Sequence, residues 1–202
     1  MIQGCNPVRP FIVNGTKIEN KGLYEIENLG DRWDRVFLKT VKSNPHWALI
    51  NDISYIRCPN SQIVVIMKAV CKPIDRGEKK IKKDDFENSA LNFIFDLFKA
   101  RRINKVSPEL LSHQKIKINN TEGIEATFET KEPLGCDKSN QEEREVLTKF
   151  VVLNRGDIMA FWSWGTNSPK WMIFWYASPV EEFDNGLAEF DKMVQSFRFL
   201  GE

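Results

Sequence analysis

Residues 171–177 (WMIFWYA) constrain the fold of this chain most strongly, because every side chain in the run is apolar or aromatic. Successive side chains of a strand point to opposite faces of its sheet, so a strand with this composition must be covered on both faces. Residues 62–70 (QIVVIMKAV) form a second, nearly continuous apolar run of the same kind. The sequence therefore predicts a sheet with cover on both sides.

Two amphipathic helices are predicted, and they can supply this cover. Asp84 can cap the first helix, with Glu87 three residues later, and an apolar stripe at helical spacing follows. The second helix is predicted to start with Ser178 as its cap, Pro179 at the first helical position and Glu181 completing a capping box. Its predicted buried face consists of Val180, Phe183, Leu187, Phe190 and Val194.

Turn signals divide the rest of the chain into antiparallel strands. Early strands are expected near 23–27, 34–40 and 54–58. Alternation in 115–118 and 124–128, about a turn at 119–123, indicates a hairpin with one solvent-exposed face. Residues 131–145 are polar and are interpreted as a long exposed loop. The later strands are expected at 147–153, 158–164 and 171–177, as a meander, and at 196–200.

The predicted fold class is α+β: an antiparallel β-sheet with helices packed on both faces, which is an α/β/α sandwich. Residues 1–20 contain two prolines and little periodicity, so they are expected to be a tether or irregular lead-in. Residues 21–202 are expected to form a single α/β domain, which is an ordinary domain size.

The charge balance bears on the class of partner. The chain of 202 residues has 29 basic and 28 acidic residues, a net charge of +1. This balance provides no general field that would attract nucleic acid or an anionic membrane. The basic run at 79–83 is expected to be a solvated loop. No apolar run approaches the roughly 20 residues that a membrane-spanning helix needs.

The N-terminal sequence Ile2-Gln3-Gly4-Cys5 resembles the end of a bacterial lipobox, in which a small residue precedes the cysteine that is acylated. The hydrophobic segment that should precede it is missing from the sequence, so Cys5 is either a lipidation site or part of a chance Gly-Cys pair in a cytosolic protein. The other cysteines, Cys58, Cys71 and Cys136, can form at most one disulfide among themselves.

The order of elements in the C-terminal part resembles the PsbP-like superfamily. The resemblance is carried by the hairpin after Ile116, with Gly123 placed in its turn, by residues 171–177, and by the ending 190–199 (FDKMVQSFRF). The superfamily includes the extrinsic photosystem II subunit, a Ran-binding nuclear transport factor and many bacterial lipoproteins. The resemblance implies a non-enzymatic binding or assembly module, and it transfers no partner or metal ligand.

Catalytic and metal-binding chemistry finds little support in the sequence. The imidazoles are His46 and His113, and no local signature pairs either of them with Cys58, Cys71 or Cys136. No cysteines have the spacing of a structural zinc site, and no acidic cluster has the ligand order of an EF-hand. The sequence therefore predicts no catalytic residues, no metal site and no cofactor.

The aromatic residues near 158–176 suggest the sharpest site hypothesis. Most of them are expected to pack in the core, but Trp164 and Trp171 flank a predicted turn at 165–169, where side chains tend toward solvent. Exposed tryptophans near a loop are typical of interfaces and ligand rims. The candidate partner or ligand surface consists of Trp162, Trp164, Asn167, Lys170 and Trp171.

The leading functional hypothesis is a non-enzymatic lipoprotein domain of the cell envelope, anchored through Cys5, that binds a protein partner or helps an assembly. A second hypothesis is a small-molecule carrier with an aromatic pocket formed by the 158–176 strands. A third is an unrecognised hydrolase that uses Cys136 or a serine with His113. A cytoplasmic location remains the alternative to the envelope.

Overall fold

The computed structural model describes residues 11–20, 24–43, 47–57, 61–70, 86–100, 107–133, 143–155 and 169–200. Within these residues the fold is α+β, with two antiparallel sheets and two α-helices. The early elements are β1 (Phe11–Asn14), β2 (Lys17–Asn20), β3 (Tyr24–Glu27), β4 (Asp34–Ser43), β5 (Trp47–Arg57), β6 (Ser61–Val70) and α1 (Phe86–Ala100). The later elements are β7 (Glu109–Ile118), β8 (Thr121–Pro133), β9 (Glu143–Asn154), β10 (Pro169–Pro179), α2 (Phe183–Ser196) and β11 (Arg198–Phe199).

The larger sheet has seven strands in the order β4-β5-β6-β10-β9-β8-β7. The two strands with continuous apolar runs, β6 and β10, are neighbours near its centre, as their composition requires. Strand β10 pairs directly with β9, with Trp175 opposite Phe150. Strands β9 and β10 are therefore direct neighbours, which the expected meander does not predict; the strand expected at 158–164 lies outside the described residues.

The smaller sheet has four strands in the order β1-β2-β3-β11. Strands β1 and β2 form a hairpin whose turn contains Gly15 at a φ of +60°. The prediction of an irregular lead-in is therefore wrong for residues 11–20, whose short alternating strands are completed by pairing with β3. Residues 1–10, including Cys5, lie outside the described residues.

Two clusters of buried side chains form the core. One contains Met172, Phe174 and Tyr176 of β10 together with Phe190 and other side chains of α2 and the smaller sheet. The other contains the alternate residues of β10, with α1 side chains and parts of β8 and β9: Trp171, Ile173, Trp175, Ala177, Ala90, Ile94, Phe98, Phe128 and Phe150. Both helices therefore contribute their apolar stripes to the core.

The β7–β8 hairpin has a tighter turn than the sequence suggested. Asn119 and Asn120 form it alone, both with positive φ (44° and 66°), and Ile118 pairs with Thr121. Two-residue hairpin turns favour asparagine because they need positive φ. Gly123 lies in β8 opposite Ile116, not in the turn.

This register also corrects the expectation of one solvent-exposed hairpin face. Ile116 and Ile118 belong to the α2 cluster or pack against it, whereas Ile124 belongs to the α1 cluster. The apolar positions of β7 and β8 therefore lie on opposite faces of the sheet, because Lys115 rather than an isoleucine is opposite Ile124.

The start of α2 also differs from the prediction. Pro179 has an extended ψ of 147°, so Ser178 remains in β10, and a single 3₁₀ turn at Val180–Glu182 precedes the α-helix. No side chain caps the start of this 3₁₀ turn or of α2, and the buried Ser178 hydroxyl lies 3.0 Å from that of Ser61 instead. The predicted capping box is therefore wrong.

The predicted buried face of α2 is right in its helical part, with one exception before it. Phe183, Phe190 and Val194 are buried and Leu187 packs against their cluster, but Val180 is 43% exposed because it lies in the preceding 3₁₀ turn. The proposed cap of α1, Asp84, lies outside the described residues. The predicted loop at 131–145 is wrong at both ends, since Lys131–Pro133 belong to β8 and residues 143–145 to β9, with a salt bridge between Lys131 and Glu145. Residues 134–142 lie outside the described residues.

The turn residue Asn119 links the tip of the β7–β8 hairpin to the end of α2 by hydrogen bonds. Its side-chain amide donates to the carbonyl oxygens of Gln195 at 3.1 Å and Phe197 at 2.7 Å. We expect Asn119→Ala to lower the free energy of unfolding by about 1–3 kcal/mol, because both bonds are lost and alanine is strained at this φ. Asn120→Gly, at the other positive-φ position, should stay within about 0.5 kcal/mol of wild type in urea unfolding. Equal effects of the two substitutions would contradict a stabilising role for the Asn119 hydrogen bonds.

Candidate functional site

The aromatic surface predicted from the sequence is mostly outside the described residues. Trp162, Trp164 and Asn167 are not among them, and Lys170 is described in its backbone only. Trp171 is 2% exposed, with its ring edge-to-face with Phe86 at 5.7 Å and Phe93 at 5.6 Å between centroids. The expectation that Trp171 tends toward solvent is therefore wrong: it points from β10 into the α1 cluster, and the remaining four residues stay a prediction.

The other aromatic residues of β10 are also core residues. Trp175 stacks on Phe150 at 5.6 Å, and Phe174 contacts Phe197 edge-to-face at 5.3 Å. The Tyr176 hydroxyl donates to the carbonyl oxygen of Phe183 at 2.7 Å, which ties β10 to the start of α2. The described part of the proposed aromatic pocket is thus filled by side chains of the protein itself.

The residues considered for catalysis do not come together in the described structure. His46 and all four cysteines lie outside the described residues. His113 is described, and its Nε2 lies 3.1 Å from Oε1 of Glu87, the first-turn acid of α1. Across the described ranges, no group of three or more His, Cys, Asp or Glu side chains is arranged to hold a metal ion.

A polar network that the sequence did not reveal lies between the sheet and α2. Lys149 of β9 is only 9% exposed, and its Nζ is 2.9 Å from Glu125 Oε2 and 2.8 Å from Asp191 Oδ1. Gln114 of β7 donates to the other oxygen of Glu125 at 3.1 Å. The signal in the sequence is a single lysine within the mostly apolar run 146–153 (VLTKFVVL). The network fixes α2 to three strands, which is a structural role.

The protonation of Lys149 should make this network sensitive to high pH. Burial lowers the pKa of the Lys149 amine, but hydrogen bonds to Asp191 and Glu125 outweigh burial and raise the pKa above its ordinary value of 10.5. Because the folded-state pKa is raised, the stabilisation is fully present below the unfolded-state pKa and is lost as pH rises through the folded-state pKa.

We expect Lys149→Met to destabilise the protein by about 1–3 kcal/mol at neutral pH, since two carboxylates lose their cation. The difference from wild type should shrink in urea unfolding above pH 10.5. Lys192→Met, at a lysine that is 71% exposed and pairs with Glu27, is the matched control and should change stability by less than about 1 kcal/mol. A Lys149→Met difference that stays constant up to high pH would show that the charge does not stabilise α2.

Strand β7 is one of the two edge strands of the larger sheet, and among the described residues it pairs only with β8. Most of its side chains are exposed, including Leu111 at 48%. Leu111 sits at a bulge, because the register shifts between Leu110 and Ser112, and the run from Ser112 to Ile118 is regular. The edge strand thus offers seven residues in regular β-conformation next to an exposed apolar side chain.

One side of this edge carries cationic and ionisable groups close to the start of α1. The side chain of Lys115 is 78% exposed, and its Nζ lies 3.3 Å from Oε2 of Glu87, whose other oxygen contacts His113. Lys117 is exposed and is directly across from Glu122 of β8. The β7 edge (residues 111–118) therefore combines an exposed apolar side chain with exposed cationic side chains along a strand that can contact another molecule.

Comparison with solved structures shows the kind of fold. The solution structure of cyanobacterial PsbP (CyanoP) from Synechocystis sp. PCC 6803 has a TM-score of 0.50 and 14% identity, covering 90% of this chain and 89% of that one. A crystal structure of PA94, a protein of unknown function from Pseudomonas aeruginosa, has a TM-score of 0.41 and 10% identity, with 93% and 94% covered. The similarity to CyanoP shows that the chain has a PsbP-like fold, which confirms the resemblance inferred from its C-terminal part.

This similarity concerns the fold alone. No protein-family model matches the chain, and no curated protein matches it significantly. Neither α1 nor α2 has the length and apolar character of a membrane-spanning helix.

Proposed function

We propose that the protein is a non-enzymatic binding or assembly module of the cell envelope, and that it contacts a protein partner through the β7 edge. The observation that carries the proposal is the regular edge run from Ser112 to Ile118, whose side chains from Ser112 to Lys115 and at Lys117 are exposed, beside the exposed Leu111. An unpaired strand edge presents main-chain donors and acceptors, and proteins commonly use such edges to bind an extended segment. The residues 162–170 remain a second candidate contact surface.

The location in the envelope is proposed from Cys5. The Gly4-Cys5 pair resembles the end of a lipobox, and bacterial lipoproteins are part of the superfamily that the chain resembles. Mass spectrometry of the protein isolated from its native cells should show acyl groups on Cys5 and none on a Cys5→Ala variant. Unmodified Cys5 in a protein that fractionates with the cytosol would sink the envelope proposal.

We also infer that α1 and α2 cover opposite faces of the larger sheet. The alternating assignment of β10 side chains to the two core clusters supports this, since neighbouring residues of a strand point to opposite faces. In this arrangement the helices cover the faces of the sheet, and β7 lies at its lateral edge.

Photo-crosslinking tests the contact surface directly. A photoreactive amino acid at Leu111 should crosslink a partner in native cells, whereas the same residue at Val180, which is similarly exposed (43% against 48%), should not. A third variant with the crosslinker at Asn167 probes the alternative surface. Crosslinks from Asn167 alone would move the binding site away from the β7 edge, and no crosslink from any position would contradict a protein-binding role.

A further inference from the structure

We propose that the β7 edge takes an extended, acidic segment of its protein partner as an additional antiparallel strand. The added strand would place acidic side chains opposite His113, Lys115 and Lys117, and polar side chains opposite Ser112, Gln114 and Ile116. This inference rests on the proposed function, because it names the chemistry of the partner for the same surface.

The hairpin turn determines which main-chain groups of β7 are free to bind. In a two-residue hairpin the pair that flanks the turn, here Ile118 and Thr121, is hydrogen-bonded, and hydrogen-bonded pairs then alternate along the ladder. Ile118, Ile116, Gln114 and Ser112 therefore direct their N–H and C=O groups toward β8. His113, Lys115 and Lys117 direct theirs outward, toward the position of a next strand.

The same three residues carry the side chains that would select the partner. They lie on one face of β7, because they are two apart along the regular run from Ser112 to Ile118. Glu87 contacts the first two, and Glu122 is across from Lys117. The residues of β7 whose main-chain groups point outward thus also carry two lysines and an imidazole as exposed side chains. Acidic residues directly opposite them on an added strand would complement these side chains.

Charge also argues against a second copy of this chain as the occupant. An antiparallel pair of β7 edges would bring the His113, Lys115 and Lys117 rows of two copies against each other, and like charges placed opposite one another destabilise a sheet. Edge lysines and bulges can also serve to prevent strand addition altogether. The experiment below distinguishes acceptance of an acidic strand from such protection.

A capped synthetic peptide in which glutamate alternates with threonine, long enough to span Ser112–Ile118, is the probe. Fluorescence anisotropy with the full chain should show saturable binding of this peptide, and about tenfold weaker binding when lysine replaces every glutamate. Equal binding of the two peptides would overturn the charge argument, and no binding of either would show that the edge is protected.

N-methylated peptides test the antiparallel geometry without changing the protein. Glutamates opposite His113, Lys115 and Lys117 direct their amides toward β7, so methylation of the glutamate amides should abolish binding. Methylation of the threonine amides should leave binding within about twofold of the parent peptide, since these amides point away. Undiminished binding of the glutamate-methylated peptide would overturn strand addition.

Charge reversal in the protein completes the test. The double substitution Lys115→Glu and Lys117→Glu should weaken the glutamate peptide about tenfold and strengthen the lysine peptide, while the exposed control Lys192→Glu should change neither. If Leu111 crosslinks a partner in cells but the peptides do not bind, the acidic-strand inference fails and the protein-binding role stands. If no position crosslinks, the proposed function itself fails.

Discussion

Replacing Gly123 with alanine is expected to lower the free energy of unfolding by about 2–4 kcal/mol. Gly123 is buried in β8 between Ile116 of β7 and Leu153 of β9. A Cβ atom there would lie 2.6 Å from the Val152 carbonyl oxygen and 2.7 Å from Leu153 Cδ2. The carbonyl belongs to the backbone of an interior strand, which cannot retreat without breaking its ladder.

Gly30 supplies the control for this substitution. A Cβ atom at Gly30 meets nothing within 4 Å, so Gly30→Ala should stay within about 0.5 kcal/mol of wild type in the same urea titration. Similar losses at Gly30 and Gly123 would contradict the steric explanation. Because β8 is the strand that holds β7 in place, Gly123→Ala is also expected to weaken any binding at the β7 edge.

Trp171→Ala is expected to destabilise the protein by about 3–5 kcal/mol, which is the usual cost of removing a large buried aromatic side chain. The substitution leaves a cavity between β10 and α1, where Phe86 and Phe93 lose their edge-to-face partner. Val180→Ala, at a residue that is 43% exposed, should change stability by less than about 0.5 kcal/mol.

This pair of variants separates two views of Trp171. Thermal unfolding should show a large fall in midpoint for Trp171→Ala and almost none for Val180→Ala. If Trp171 belonged to a partner-binding surface, its replacement would instead lower partner binding and leave the midpoint unchanged. A midpoint within error of wild type would contradict the core role of Trp171 and support its place in a partner-binding surface.

The sequence predicted the elements better than it predicted their arrangement. The apolar runs of β6 and β10 and the helical spacing in α2 are local patterns, and each led to an element of the right type. The position of β10 between β6 and β9 depends on pairing across about a hundred residues, which no local pattern contains. The helix cap failed because Ser178 had a competing partner, Ser61, far away in the sequence.

The candidate site illustrates the same limit. The tryptophans near 164–171 were considered exposed because they flank turn residues, yet Trp171 is buried because α1 packs over its end of β10. The β7 edge was not anticipated because the turn was expected to be five residues long. The shorter turn at Asn119 and Asn120 changes which side chains share a face, and so which residues the edge presents.

The pairing of β3 with β11 has a consequence for how the chain folds during synthesis. Arg198 and Phe199 pair with Glu25 and Tyr24, and the backbone amide of Glu27 donates to the hydroxyl of Ser196 at 2.7 Å. Strand β3, and with it the sheet begun by β1 and β2, thus acquires its last neighbour from a segment made about 170 residues later. The apolar side chains of the early strands pack against α2, which begins at residue 183 and directly precedes β11. Until α2 leaves the ribosome these side chains stay uncovered, so nascent chains that stall before residue 183 should depend most on chaperones.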